Sequence, residues 1–411
     1  MMQPSGKTVA LVDPLWVGHH PMYFSQFTAS FLRSGARVIG LCPEPEAARR
    51  DLLQVVDPEI LASRVHFHRL PAGGRSFFNG RFEGDPIRTF ARWRAAADTL
   101  AAAEATSGLR ADLVYFPYLD SYLRFLPFPA IPRFLLNRPW SGLYLRNHHH
   151  GETPSLKKSL RLLAKGDALL RSDFCRGIGV LDERFIPAME KPGGIRIAAY
   201  PDVTQTDLPS EPYPLALEIQ RKAAGRAIVG MIGLERRKGF LTLLRTAKLA
   251  REAGLPYYFV CAGKIHLAEF TDTERVEIQQ LSRGVANLHF DPVADRIASE
   301  ADYNSLFRTF HIAWAAYERF EGSSGTLGKA AAFEIPCLAT AGECVGNRVE
   351  TYRLGLTIQQ ANPAQALAAL PRLAAGTDLL GNPLAPRFKE YREQHSQQRL
   401  DRILGELLGT V

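Results

Sequence analysis

What most limits the folds open to this chain is a recurring order: a short apolar segment, a helix-length amphipathic stretch, then another apolar segment. Thr8 to Asp13 is the first such segment, followed by the turn PLWVGHHP, a helix expected over Met22 to Arg33 and closed by Ser34-Gly35, and a second strand from Arg37 to Cys42. A strand, a helix and a strand of these lengths make a βαβ unit, which requires parallel pairing and places a ligand edge at the carboxyl end of the first strand. Gly18, His19 and His20 lie in the loop after that strand. They read either as a tight turn with solvated histidines or as ligand contacts.

The order repeats through a helix after Pro45, a strand at Val65 to Leu70, a helix from Pro86 to Ala105, and strands at Leu113 to Tyr118 and Gly142 to Arg146. The last of these runs into Asn147-His148-His149-His150-Gly151. Neighbouring side chains of an extended segment point to opposite faces, so only His148 and His150 would share one, and no metal site is expected. A histidine at the end of a parallel strand, bonded to a ligand, is the better functional reading. From Pro154 to Asp173, leucines at 156, 160, 163 and 170 fall near helical spacing, with Lys157, Lys158, Arg161, Lys165 and Arg171 on the remainder. Such a helix either lies on an anionic membrane surface or packs its leucines on its own domain. Strands at Ile178 to Leu181 and Ile195 to Ala199 complete a first α/β domain.

Pro201 to Pro214 carries four prolines among polar residues and reads as an extended linker. A second alternation follows: strand Ala227 to Ile232, loop Gly233 to Gly239, helix Phe240 to Glu252, strands Tyr257 to Ala262 and Leu288 to Phe290, and a helix over Ala298 to Phe307. After it, WAAYERFEGSSGTLGKAAAFEIPCLAT (Trp314 to Thr340) reads as a strand, an acidic turn with Glu318 and Glu321, a small-residue loop, and a helix from Thr326 to Phe333. Gly322, Ser323, Ser324 and Gly325 let a guest approach the amides of Thr326 and the helix start, a setting that suits a diphosphate. GLERRKG (Gly233 to Gly239) adds Arg236, Arg237 and Lys238 at another strand end, where they can neutralise the same phosphates. Strands at Cys337 to Ala339 and Leu356 to Ile358, a helix from Pro363 to Ala374 and one polar helix from Arg387 to Leu408 close the chain.

Composition narrows the classes further. With 411 residues, 46% of them hydrophobic, the chain can bury two cores of ordinary domain size. A net charge of +8 favours anionic partners such as nucleotide phosphates or an anionic membrane surface. The basic residues lack the aromatic interleaving of nucleic-acid modules, so no nucleic-acid partner is expected. Five scattered cysteines without C-x-x-C spacing indicate neither disulfides nor zinc, and point to a reducing compartment. The start, MMQPSGKTVALVD, has no signal-peptide apolar region, and no apolar run approaches the roughly 20 residues that span a bilayer. A cytoplasmic protein is the expectation, with peripheral contact at the inner face of the membrane resting on the basic helix.

These residues resemble a known family, the GT-B glycosyltransferases, most closely the large family-4 type that uses nucleotide-sugar donors. The weakly specific part is Gly18 to Leu41. The more specific parts are Arg236 to Gly239 and FEGSSGTLGKAAAFEIPCLAT, which is similar to the family's EG-x-G-x4-E-A followed by a small residue and Pro. The resemblance implies an α/β fold of two Rossmann-like domains facing a central cleft: residues 1–203 on the acceptor side and 204–385 on the donor side, with a C-terminal helix (386–411) crossing back to the first. It also implies transfer of a hexosyl group from a nucleotide diphosphate sugar with retention of configuration and no required metal or other cofactor. Glu321 would bond the donor sugar, Lys238 with Arg236 or Arg237 would neutralise the diphosphate, and Ser323 to Thr326 would hold it. His149 would contact the reacting sugar, and Gly18, His19, His20 and His148 would line the first domain's side of the cleft. One position departs from the pattern. Eight residues after Glu321, where the family's second Glu binds ribose, stands Lys329. It would reach a phosphate instead, or point to solvent. A non-catalytic nucleotide-sugar-binding or scaffold protein is the alternative that this departure leaves open.

Overall fold

The computed structural model describes residues 6–71, 86–124, 126, 128–152, 155–190, 194–290, 297 and 299–411. Readings made above on the first five residues, on Pro154 and on Ala298 lie outside that range. The chain divides into two compact units, Met1–Pro201 with Gln397–Val411, and Asp202–Ser396.

The first unit is built on a parallel sheet of β1 (Thr8–Val12), β2 (Arg37–Cys42), β3 (Val65–Arg69), β4 (Leu113–Phe116), β5 (Trp140–Tyr144), β6 (Cys175–Val180) and β7 (Ile197–Ala199), in the order β3-β2-β1-β4-β5-β6-β7. β1 and β4 are buried along their whole length, as the unbroken apolar runs require when helices cover both faces. The helix His20–Arg33 leads from β1 to β2 on one side, and the helix Pro86–Ser107 returns the chain to β4. Between β1 and β4 the strand order therefore reverses, and the crevice beyond their carboxyl ends is where an open parallel sheet receives ligands.

The second unit repeats the plan with β8 (Ala227–Leu234), β9 (Tyr257–Ile265), β10 (Leu288–Phe290), β11 (Ile312–Ala315), β12 (Cys337–Thr340) and β13 (Gly355–Ile358), ordered β10-β9-β8-β11-β12-β13. Here the reversal falls between β8 and β11, which pair directly from Ile312 to Val229. All five cysteines are buried and unpaired. No helix among the described residues is long and apolar enough to cross a membrane.

Four expectations need correction. The polar C-terminal helix is two helices, Phe388–Gln394 and Gln397–Leu408, and they belong to different units. Gln397–Leu408 buries Leu400, Leu404, Leu407 and Leu408 in the first unit, where Asp401 accepts from Arg33 Nε at 2.8 Å and from the Ser30 hydroxyl. The proline-rich segment after Pro201 is pinned to the second unit: Asn304 Nδ2 donates to the Asp207 carbonyl at 2.7 Å and Lys329 Nζ to that of Gln205 at 2.7 Å. The histidine run is wound into a 3₁₀ turn, His148–Gly151, rather than extended. Last, the helix Leu156–Lys165 buries none of its residues, and Leu156, Leu160 and Leu163 are 78%, 59% and 52% exposed. Its inward face is the polar one. Lys158 Nζ donates to the carbonyls of His150 (2.8 Å) and Glu152 (2.6 Å), and Arg161 pairs with the Glu152 carboxylate.

Candidate functional site

In the second unit the two loops singled out in the sequence converge at the β8–β11 reversal. β8 ends at Leu234, and the chain makes a single 3₁₀ turn, Arg236–Lys238, before Gly239 starts the helix Phe240–Glu252. Gly239 has φ +75°, and a Cβ there would lie 2.1 Å from the Ala316 carbonyl oxygen, so only glycine lets this loop press against the end of β11. The Glu318 amide donates to the Arg237 carbonyl at 2.8 Å, and the Thr242 hydroxyl to the Glu318 carboxylate at 2.7 Å. These bonds hold the cationic loop and the Glu318–Thr326 loop side by side.

The cations divide. Arg236 is bound to Glu274, from Nη2 at 2.8 Å and Nε at 3.1 Å, and its amide to Glu269. Arg237 and Lys238 instead share Glu235, at 2.5 Å and 3.4 Å, and Lys238 Nζ also donates to the Ile232 carbonyl at 3.2 Å. Burial pushes the Glu235 carboxyl up, but the Arg237 bond and the Lys238 charge outweigh it and hold the group below its ordinary range. Glu235 thus offsets only one of the two cationic charges it holds. Arg237 also lies over the Phe320 ring, 5.6 Å from its centroid, which ties it to the neighbouring loop.

That neighbouring loop ends at Ser324, which caps the helix Gly325–Ala332 by accepting from the Thr326 amide at 3.2 Å. The Ser324 hydroxyl also bonds the Tyr317 hydroxyl at 2.7 Å, and burial pushes that phenol up to about 12. Ser324 is thus buried and fixed, while Gly325 and Glu321 are exposed and Ser323 and Thr326 half-buried. An anion at this helix start meets backbone amides and the positive end of the helix, with Ser324 shaping the turn behind them. Lys329 takes neither role expected of it. It is 5% exposed, bonded to the Gln205 carbonyl and to the Glu300 carboxylate, and placed over the Tyr303 ring at 5.3 Å. It fastens the segment after Pro201 to this unit.

In the first unit, Gly18 (φ +61°) turns the chain after β1, His19 is exposed, and His20 opens its helix facing inward. His20 Nδ1 lies 2.8 and 2.9 Å from the two oxygens of Asp13, and its ring stacks on Tyr118 at 4.1 Å. Burial raises the Asp13 carboxyl, with the His20 bond opposing it. The 3₁₀ turn after β5 brings His149 and His150 together on Asp167: His149 Nε2 at 2.8 Å and His150 Nε2 at 3.0 Å from the same oxygen, with the Tyr144 hydroxyl donating to the other at 2.7 Å. Burial pushes Asp167 up, yet the two histidine bonds outweigh it and hold the carboxyl well below the usual range. His149 is 1% exposed, and its Nδ1 has no hydrogen-bond partner among the described residues. His149, His150 and Asp167 each offer an atom within 4.8 Å of the others, a grouping that has the donor set for a divalent ion as well as for hydrogen bonds. His148 is half-buried in the same turn.

Sequence reasoning did not find Asp13, Asp167 or Glu235. Asp13 closes an apolar strand, and an acid at that position is the available signal. Asp167 lies 18 residues from its partner His149, and no spacing rule links them.

No protein-family model matches this sequence, and no curated protein does. Solved structures do resemble it in three dimensions. Sucrose-phosphate synthase from Thermosynechococcus elongatus is 16% identical over 98% of both chains, with a TM-score of 0.64. A trehalose-6-phosphate protein from E. coli bound with UDP-2-fluoro glucose is 12% identical over 98% of this chain and 100% of that one, with a TM-score of 0.65. HepE from Anabaena in complex with UDP is 14% identical over the same shares, also at 0.65. At these identities what is shared is architecture, and the two parallel sheets with their covering helices give this chain the GT-B fold.

Proposed function

We propose that this protein is a glycosyltransferase that moves a hexosyl group from a nucleotide diphosphate sugar to a glycan, lipid-linked or small-molecule acceptor, with retention of configuration and without a required metal. The observation that carries the reading is the junction at the β8–β11 reversal, where Arg237 and Lys238 share Glu235 beside the start of the helix Gly325–Ala332. A departing diphosphate gains charge as the glycosidic bond breaks. Cations and amides fixed before the reaction therefore favour the transition state over the bound donor. Arg236, engaged by Glu274, contributes through the loop rather than through phosphate. Glu321 accepts from hydroxyls of the donor sugar. His149, with Nε2 held by Asp167 and Nδ1 buried, would serve the reacting sugar by fixing the turn that faces it. The binding of UDP and of UDP-2-fluoro glucose by proteins of this fold supports a nucleotide-sugar donor.

The experiment is a thermal-shift screen against UDP, GDP, TDP and ADP and their sugars. A ligand at 100 times its dissociation constant adds roughly 2.7 kcal/mol. If none raises the melting point, the donor reading fails. One observation favours a non-catalytic binder: with Lys329 turned to Gln205 and Glu300, no carboxylate stands at the position from which ribose would be held. Binding of a nucleotide sugar without hydrolysis or transfer in any acceptor mixture would decide for that reading. Peripheral contact with an anionic lipid surface on the cytoplasmic side is part of the proposal, supported by the outward leucine face of Leu156–Lys165 and the net charge of +8.

A further inference from the structure

The crevice at the β1–β4 reversal of the first unit is lined by cations that the donor chemistry does not use. Arg88 and Arg92 come from the first turns of the helix Pro86–Ser107, Arg124 from the end of the short helix Asp120–Leu123, Arg146 from just beyond β5, and Lys165 from the last turn of Leu156–Lys165. Fixed contacts bring these elements together. The Asp120 carboxylate accepts from the amides of Leu145 (2.9 Å) and Arg146 (3.0 Å), Arg92 Nη1 donates to the Ser121 carbonyl at 2.9 Å, and Arg146 bonds the Tyr118 hydroxyl. A Cβ at Gly166 would sit 1.6 Å from the Leu123 carbonyl, so Lys165 ends its helix beside Arg124.

Among the described residues, the carboxylates facing Arg88, Arg92, Arg146 and Lys165 are already engaged elsewhere. Asp13 and Asp120 face this group, but Asp13 is taken up by His20 and the Leu15 amide, and Asp120 by two amides. Asp167 is held by its two histidines. Arg92 is 8% exposed, and the Nε atoms of Arg92 and Arg88 are buried without a hydrogen-bond partner among the described residues. A buried guanidinium N–H without an acceptor is costly, and a site arranged this way favours an anion that accepts several such bonds. Burial and then the Arg88 charge lower Arg92, while burial and then the Arg124 charge lower Lys165, which is the mark of cations crowding one another.

We propose that this edge of the first unit binds a phosphate group, and that the molecule receiving the sugar is a phosphorylated one. Phosphate binding stands on the residues above. Calling its bearer the acceptor rests on the glycosyltransferase reading. Two sources carry the same chemistry, a soluble phosphomonoester and a lipid phosphate, and the leucine face that ends at Lys165 makes the second worth its own arm.

The test uses the full chain and two variants: Arg146→Ala combined with Lys165→Ala, both at the rim so that folding is kept, and Lys238→Ala in the donor loop. Glucose 6-phosphate is titrated by calorimetry against glucose as control, and vesicles containing phosphatidic acid are sedimented against phosphatidylcholine alone. The expected result is binding of glucose 6-phosphate or of the phosphatidic acid vesicles that weakens at least about tenfold in the rim variant and is unchanged in Lys238→Ala. Which probe binds identifies the source. Binding of neither probe, or binding that survives in the rim variant, overturns the proposal. The melting-point shift with UDP, measured on the same samples, reports separately on the donor reading, so a failure of one is not taken for a failure of the other.

Discussion

Lys238 and Glu321 carry the sharpest expectations at the scale of single residues. Removing the Lys238 ammonium takes a fixed charge from the leaving diphosphate, so Lys238→Ala should lower turnover on the order of 10²-fold with any active donor and acceptor pair. Unchanged turnover would remove it from the mechanism. Glu321→Gln keeps the shape but weakens acceptance from sugar hydroxyls. It should cut transfer by about tens-fold while free nucleotide diphosphate binds nearly as before. Equal loss of both would make Glu321 a support of the loop. The sequence singles out these two residues because each sits where an apolar strand gives way to polar and small residues. Lys329 was not: its position along the motif says nothing of Glu300 and Gln205, which reach it from 29 and 124 residues away. Glu235 was passed over for the reverse reason, since three adjacent cations drew the reading away from the carboxylate that organises two of them.

Strands were the most readable elements, because a buried parallel strand must be a nearly unbroken apolar run and few other segments are. Helix faces were less so. Periodicity in Leu156–Lys165 shows that leucines share a stripe, but which side the stripe faces depends on Lys158 and Arg161 finding carbonyls and Glu152 on the domain surface. The same holds for the histidine turn, where a tertiary partner, Asp167, selects a wound conformation over an extended one. Since these leucines are largely exposed among the described residues, Leu156→Gln combined with Leu160→Gln should leave the melting temperature within about 2 °C of the parent. The same variant should lose sedimentation with anionic vesicles. A drop in melting temperature of about 5 °C or more would show that these leucines are covered after all.

For the molecule as a whole, the proposed charge balance uses protein cations, so activity should persist in EDTA. Loss in EDTA with recovery on adding Mg²⁺ or Mn²⁺ would reassign that role, with His149, His150 and Asp167 the first residues to test. A second expectation concerns Gln397–Leu408, whose four buried leucines each contribute roughly 1.5–3 kcal/mol to the first unit. Deleting residues 397–411 should collapse hydrogen-exchange protection across 6–201 and spare 202–396. Equal protection in the shortened chain would mean that the helix only decorates the surface. The two-unit plan was visible in the repeated alternation, whereas the break at His395-Ser396 was hidden inside one continuous polar stretch. That break gives the covalent chain an unusual order. Residues 202–396 are an insert whose two ends meet, the Asp202 amide donating to His395 Nδ1 at 3.0 Å, and the surrounding unit is split between residues before 202 and residues after 396. A ribosome adds about 5–20 residues per second, so the insert is complete in the growing polypeptide before the helix that seals the first unit has been made. During synthesis the insert should mature first, and the surrounding unit must wait, with the apolar face around Ser30 open, until Gln397–Leu408 emerges.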